Sequence, residues 1–519
     1  MLKRLLLSLL FTSTLAAQQT PTPAAAEWWR LTTVLSNDSM QGRDTGTEAY
    51  ERAAHVVADQ FSADHLKPAG DGGSFFQRVP MHQVSLDVEH SSIELLSTDS
   101  KTKPQQIRLL YETTLNPRAG LPPEITGDLF FLGYGLPENT PDLQGKVVIF
   151  FNNVPASVAP ADRAAYPARR AKFLGESGAA AIVSIDNPAA IEPFHWPAAY
   201  ARTVTLSPDT QPATQRLTLR MSEEAAVRLF VGAQIDAKKL FASAATGQPI
   251  SSAALPQRLR IRLKTTEKDI SSPNILAILP GLDASLAPEY VALSAHLDGY
   301  GFGTPVLGDS LYNGALDDAA YVATLLQLAH TLSHTPAKRS LLFCIFTGEE
   351  KGLLGSEYFT QHPTVAASQI VADLNLDQLR PIFPLRLLTM EGIGDSTLGE
   401  TARTVAARFS IQVRPDLEPE RNLFRRADNY SFVRIGVPIA GFIFGYNPGT
   451  PEEAAYRNWY ATRYHKPQDD LSTPIDWTAA VKFNDFYRAL ATTIADAPKR
   501  PEWLPASPYA PQSGEQAKP

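Results

Sequence analysis

Cysteine is all but missing from this chain: Cys344 is the single one in 519 residues. That excludes an intrachain disulfide and any metal site built on several thiolates. Cys344 lies within the apolar run Leu341-Leu342-Phe343-Cys344-Ile345-Phe346, which predicts a buried, inert thiol rather than a nucleophile. Also missing is a Lys/Arg cluster interleaved with aromatics. With 47 basic against 54 acidic residues the formal charge is −7, so nucleic acid is not an expected partner. Beyond the N-terminus no stretch is long and charge-free enough to cross ~30 Å of hydrocarbon, and no membrane span is expected. No internal repeat is visible. What is present is 44% hydrophobic and 19% charged residues, the balance of a compact globular protein. The length calls for two or three cores rather than one.

The N-terminus has its own pattern. Lys3 and Arg4 precede an apolar run from Leu5 to about Ala16, and Thr14, Ala16 and Ala17 offer small residues for cleavage. Residues 1–17 therefore read as a signal peptide, and the mature protein is expected to be exported, periplasmic or secreted. No cysteine near the cleavage region is available for lipid attachment. Residues 45–61 predict an amphipathic helix: Thr45 and Glu48 have capping-box spacing, and Tyr50, Ala53, Ala54, Val57 and Phe61 recur at helical intervals. Short β-rich runs follow to about residue 111. Between about 114 and 262 Pro, Ala and Gly dominate, and no cluster of acids and histidines occurs, which predicts a separate inserted α+β module. The expected organisation is 27–113 as the N-terminal part of the main domain, 114–262 as the insert and 263–500 as the rest of the main domain. The Pro-rich stretches 18–26 and 501–519 read as mobile tails.

From residue 274 onward apolar strands alternate with helical segments, at 274–279, 290–295, 341–346, 371–376 and 438–444. This predicts an α/β fold with a mostly parallel, mixed sheet flanked by helices. The acids and histidines fall where those strands end: His296-Leu297-Asp298 after the second, Thr347-Gly348-Glu349-Glu350 after the third, Asp377 after the fourth. Ligands of open α/β sheets bind just beyond the carboxyl ends of strands, so these side chains should share one crevice. Asp317-Asp318 opens the helix beginning near Ala319, and His465 lies in the loop Tyr464-His465-Lys466-Pro467-Gln468-Asp469. Imidazoles and carboxylates without cysteine suit zinc better than magnesium. A hydrolytic metal site is the expectation.

These residues give the chain a resemblance to the co-catalytic zinc aminopeptidases related to bacterial leucyl aminopeptidase and plasma glutamate carboxypeptidase. It is carried by Gly42-Arg43-Asp44-Thr45-Gly46-Thr47, Asn274-Ile275-Leu276-Ala277, His296-Leu297-Asp298, Gly314-Ala315-Leu316-Asp317-Asp318, Gly348-Glu349-Glu350, Leu376-Asp377 and Tyr464-His465. The insert resembles a protease-associated domain. The resemblance implies two zinc ions per chain, one held by His296 and Asp377, the other by Glu350 and His465, with Asp317 bridging. It implies Glu349 as the general base acting on a metal-bridging water, Asp298 as the carboxylate that orients the first histidine, a cis Asp317–Asp318 bond, and Tyr464 as a donor to the oxyanion. The implied activity is peptide-bond hydrolysis, with N-terminal amino acids removed from a peptide or protein substrate.

The chain departs from that family at Ala319-Ala320-Tyr321, where a small residue and glycine are usual, and at Ala427-Asp428-Asn429 in place of Ser-Asp-His. The second departure puts a substrate contact in question and removes no ligand. His330 and His334 stand four apart on a helix, but no glutamate follows His330, and a surface pair is expected. His195-Trp196 reads as a loop contact, Asn429-Tyr430 as packing, and Asp318 as a helix-start acid. Competing readings are a carboxypeptidase or dipeptidase on acidic substrates, for which Arg425-Arg426 is a candidate anchor, a glutaminyl cyclase, and a non-catalytic receptor-like relative. The sequence does not decide side-chain preference, oligomeric state or the role of the insert.

Overall fold

The apolar runs of the C-terminal half assemble into a ten-stranded mixed sheet. The computed structural model describes residues 20–510 other than 100, 138, 140, 164, 187–193, 209–215 and 378–379. Across the sheet the order is Gln412–Arg414, Leu387–Glu391, Ile439–Phe444, Ile370–Asn375, Tyr290–His296, Ser340–Phe346, Thr265–Leu279, Phe76–Leu86 and Arg202–Leu206, with Lys67–Pro68 paired to Thr265–Leu279. The strands Ser340–Phe346, Tyr290–His296, Ile370–Asn375 and Ile439–Phe444 run parallel. Their neighbours Thr265–Leu279 and Leu387–Glu391 are antiparallel to them. The expected strands are all present; the first begins at Thr265 rather than at 274.

Strands buried on both faces read as continuous apolar runs, because helices cover each side. Leu341, Phe343 and Ile345 face one layer with Val57, Leu325, Leu326 and Leu490. Leu342, Cys344 and Phe346 face the other with Phe359 and Phe432. This alternation places Cys344 in the core, where burial raises its thiol pKa well above the ordinary value. Helices Pro23–Ser36, Glu48–Ala63, Ala320–Ser333 and Trp477–Asp496 form the first layer. Among the described residues no helix is long and apolar enough to cross a membrane.

Several boundaries differ from expectation. The helix expected over 45–61 is Glu48–Ala63, and its cap is Thr47, whose hydroxyl accepts from the Tyr50 N–H at 3.2 Å. Thr45 is free of that duty because its hydroxyl is engaged elsewhere, as described below. The stretch 18–26 is not wholly a tail: Thr22 caps a helix from Pro23, and Trp28 Nε1 donates to the Ala320 carbonyl at 2.7 Å. Residues 501–510 likewise pack on the body. Trp503 Nε1 donates to the Gly436 carbonyl at 2.7 Å, and Tyr509 stacks on Phe424. The proposed signal peptide, 1–17, and residues 511–519 lie outside the described residues.

The insert has its own eight-stranded sheet, ordered Gln105–Ile107, Ser92–Leu96, Ala253–Arg262, Glu124–Phe131, Val147–Phe151, Ala181–Ile185, Leu217–Met221 and Thr113–Leu115. Its core holds Leu95, Phe131, Phe151, Phe230 and Phe241. Two of the strands placed by the sequence in the main domain, Ser92–Leu96 and Gln105–Ile107, belong to this sheet, so the insert starts near 92 and not at 114. It packs around its own core yet is joined to the main sheet by one strand. Arg202–Leu206 leaves it to pair antiparallel with Phe76–Leu86 at the edge of the main sheet.

Candidate metal centre

The parallel strands end on one side, and the residues after them meet there. Two overlapping groups of donor atoms result: His296, Asp317 and Asp377 form one, Asp317, Glu350 and His465 the other, with the atoms of each group within 4.8 Å of one another. Asp317 is common to both. Its Oδ1 lies 3.4 Å from His296 Nε2 and its Oδ2 lies 3.4 Å from His465 Nε2. Glu350 Oε2 is 3.3 Å from His465 Nε2. Glu349 Oε2 is 3.9 Å from His296 Nε2, on the same side as the donors but outside both groups.

The donor set fits zinc. Imidazole nitrogens and carboxylate oxygens at these separations are the ligands zinc takes when thiolates are absent. His296 Nε2 and Asp317 Oδ2 are buried without a hydrogen-bond partner among the described residues, a costly state unless a cation completes them. Burial and the crowding of carboxylates raise Glu349 well above the usual carboxylate range and push Asp377 up to about 6. Bound cations would relieve that crowding.

The backbone around the donors is held by buried polar groups. Arg43, fully buried, donates to the carbonyls of Leu297 (2.8 Å), Leu35 (2.9 Å), Asn313 (2.8 Å) and Gly314 (2.8 Å). It thereby ties the loop after His296 to the turn before Asp317. Gly42 lets it approach: a Cβ there would lie 2.2 Å from the Tyr312 carbonyl. Asp469 accepts from the N–H groups of Leu316 (3.1 Å) and Asp317 (3.0 Å) and so fixes the turn that presents Asp317. The Asp317–Asp318 bond is cis, as the family resemblance implies. Asp318 is no solvated helix-start acid: it is fully buried and accepts from the His296 N–H at 3.2 Å.

One detail differs from expectation. The Asp298 carboxylate is 3.9 Å from His296 Nδ1, whereas the Asp298 carbonyl is at 3.0 Å and orients the ring. The carboxylate instead accepts from the Glu349 N–H (3.0 Å), the Glu350 N–H (3.3 Å) and the Thr45 hydroxyl (2.9 Å). Glu349 and Glu350 lie in a turn past the strand Ser340–Phe346. Asp298 clamps both of their amides.

Tyr464, the expected oxyanion donor, is buried with its ring stacked 3.7 Å from that of His465, and Arg426 Nη2 lies 3.5 Å from its hydroxyl. Arg425 turns away, over the Tyr430 ring. His330 contacts Asp64 at 2.7 Å and His334 edge-on, a surface pair as expected. Three participants were missed. Arg380 is fully buried over the Trp459 ring at 4.0 Å, and its charge partly offsets the burial that raises Asp377 and adds to the histidine contacts that lower Asp317. It follows Asp377 closely in the chain, which was an available signal. Asp469 shares a loop with His465. His195, from the insert, sets its ring 6.1 Å from Tyr464, which no local pattern foretells.

Comparison with known proteins agrees with this geometry. Residues 274–491 match Peptidase family M28. A probable zinc metalloprotease of Pyrenophora tritici-repentis is 32% identical over 169 residues, 31% of this chain and 38% of that one. Aminopeptidase YwaD of Bacillus subtilis is 26% identical over 191 residues, 36% of each chain. The chain thus spans well under two thirds of the length of these curated relatives. The structure of an aminopeptidase from Aneurinibacillus sp. strain AM-1 superposes over 92% of this chain and 95% of its own at 18% identity, with a TM-score of 0.59. That likeness is one of fold. The five donors, the turns that hold them and the match to the Peptidase family M28 model all fall between residues 274 and 491.

Proposed function

We propose that the protein is a zinc aminopeptidase that binds two zinc ions through His296, Asp377, Glu350, His465 and a bridging Asp317. The observation that carries this reading is the sharing of Asp317 between two donor groups. A single ion would leave two of the five donors idle. Zinc bound there would supply a Lewis acid to polarise the scissile carbonyl and an attacking water.

The chain's own residues would do the rest. Glu349 stands beside the donors without belonging to either group, and burial raises its basicity. It would take the proton from the attacking water and pass it to the leaving amine. Asp298 would keep Glu349 aimed, since it binds that residue's amide. Arg380 would balance the negative charge of Asp317 and Asp377. Residues 1–17 would direct export, so the mature protein should start near residue 18 in a periplasmic or secreted fraction.

The aminopeptidase reading is supported by the names of the relatives, and it is tested with the mature protein and zinc on aminoacyl, dipeptidyl, C-terminal glutamyl and N-terminal glutaminyl substrates. Release of free N-terminal residues is expected. Preference for C-terminal glutamyl substrates would favour the acidic-substrate reading, for which Arg426 beside Tyr464 is the specific observation. Cyclisation without hydrolysis would overturn the peptidase reading.

A further inference from the structure

His465 has a support that no acid provides. Its Nε2 faces Asp317 and Glu350, so its Nδ1 is the nitrogen left to carry a proton and to be held from behind. The group behind it is the Tyr300 hydroxyl, 3.1 Å away, with the two rings 4.7 Å apart. Histidine ligands are usually oriented through the second nitrogen by a carboxylate, a carbonyl or water, which sets both tautomer and ring angle. His296 has a carbonyl in that position; His465 has a phenol. His465 also needs holding, because its backbone is in the left-handed region, at φ 54°, which a histidine adopts at a cost.

Tyr300 in turn is fixed from the insert. Lys351, only 4% exposed, places its ammonium 5.0 Å over the Tyr300 ring and 5.1 Å over the Tyr200 ring. The same ammonium donates to the Tyr200 hydroxyl (2.5 Å) and the Gly299 carbonyl (3.3 Å) and pairs with Asp44 at 3.2 Å. Arg202 pairs with Asp44 at 2.5 Å and lies 4.2 Å over Tyr200. Tyr200 and Tyr300 rings are 5.7 Å apart. Tyr200 and Arg202 lie at the start of the segment by which the insert joins the main sheet. Lys351 directly follows the donor Glu350. An unbroken run of contacts thus leads from the insert to the imidazole.

We infer that Tyr300 is a positioning residue for the His465 ligand and that Tyr200 of the insert braces it through Lys351, making the insert a working part of the Glu350–His465 half of the centre. The inference rests on the two-metal reading proposed above. It has an asymmetric consequence: the His296–Asp377 half has its own carbonyl support and should not depend on Tyr300 or Tyr200.

The experiment is stepwise zinc binding to metal-stripped protein, followed by competition with a chromophoric chelator, for wild type, Tyr300→Phe and Tyr200→Phe. Phenylalanine keeps both rings and removes one oxygen, so packing on His465 and Tyr312 is retained. For Tyr300→Phe, affinity for one zinc, that of the Glu350–His465 half, should fall about 10-fold to 100-fold, while the other zinc is unchanged. Tyr200→Phe should show a smaller loss confined to the same ion. Thermal melting of the metal-free variants, expected to match wild type, separates positioning from folding. Unchanged affinities, or equal loss of both ions, would overturn the inference. A wild-type protein that takes up a single zinc would instead sink the two-metal reading. In that case a Tyr300→Phe loss on the bound ion still supports positioning, and no loss overturns it.

Discussion

At the scale of single residues, adjacency in sequence hides division of labour. Glu349 and Glu350 are neighbours, yet one lies 3.9 Å from His296 and the other 3.3 Å from His465. Replacing Glu350 by Gln exchanges an anionic donor for a neutral amide and should lower zinc content on dialysis. Glu349→Gln should keep both zinc ions and lose turnover by about 10²-fold to 10⁴-fold, since the proton acceptor alone is gone. Zinc analysis and initial rates on the two variants check the pair; a fully active Glu349→Gln would refute the assignment. Three of the proposed donors stood out in the sequence because apolar strands are followed by His296, Glu350 and Asp377, whereas Asp317 at a helix start and His465 in a loop were named through the family resemblance. The supports did not stand out. Asp298 binding two amides, Arg43 binding the carbonyls of Leu297 and Asn313 and Tyr300 behind His465 are contacts made across long stretches of chain.

At the scale of elements, two threonines near the start of Glu48–Ala63 test whether capping and site support are distinct. Thr47 caps the helix, and Thr47→Ala should cost about 1 kcal/mol of stability with zinc affinity unchanged. Thr45 donates to Asp298, so Thr45→Val should leave the helix intact and weaken zinc retention through the Glu349-Glu350 turn. Denaturant melts and chelator competition, run on both, give opposite patterns if the geometry is right. Arg43 joins the elements themselves. Arg43→Met leaves buried carbonyls without donors and should destabilise by about 3 kcal/mol or more, read as a drop in melting temperature in both the metal-free and the zinc-loaded protein. The sequence misassigned the cap because Thr45, three residues before Glu48, has the capping-box spacing that Thr47, three before Tyr50, lacks. Which hydroxyl faces the helix depends on where the preceding chain turns, at Gly42 and Gly46, both at positive φ.

At the scale of the whole molecule, metal and insert are coupled to stability. Zinc that binds only the folded state should raise stability by roughly 4 kcal/mol when free zinc is 1,000 times its Kd, so chelation should lower the melting temperature in calorimetry. A deletion of 114–262 cuts through the insert's sheet, because Ser92–Leu96 and Gln105–Ile107 stay behind without their partners. It also removes Tyr200 and Arg202 from the neighbourhood of the site. Such a protein should lose the Glu350–His465 zinc first, which stepwise titration would detect. Retention of both ions at wild-type affinity would show that the insert is dispensable after all.

Composition and periodicity were enough for the α/β class and the five principal strands, because burial leaves local patterns, and the proposed donors came with the family resemblance. The extent of the insert was beyond them. Ser92–Leu96 has the same alternation whichever sheet it joins, and only its pairing with Ala253–Arg262 decides the matter. The same holds for residues 23–26 and 501–510, which read as parts of tails until Trp28 and Trp503 find distant carbonyls. Local patterns record what each segment must bury. Which surface it buries against, and so which hydroxyl or ammonium stands behind a donor, is set by contacts between residues far apart in the chain, and those exist only once the chain has folded.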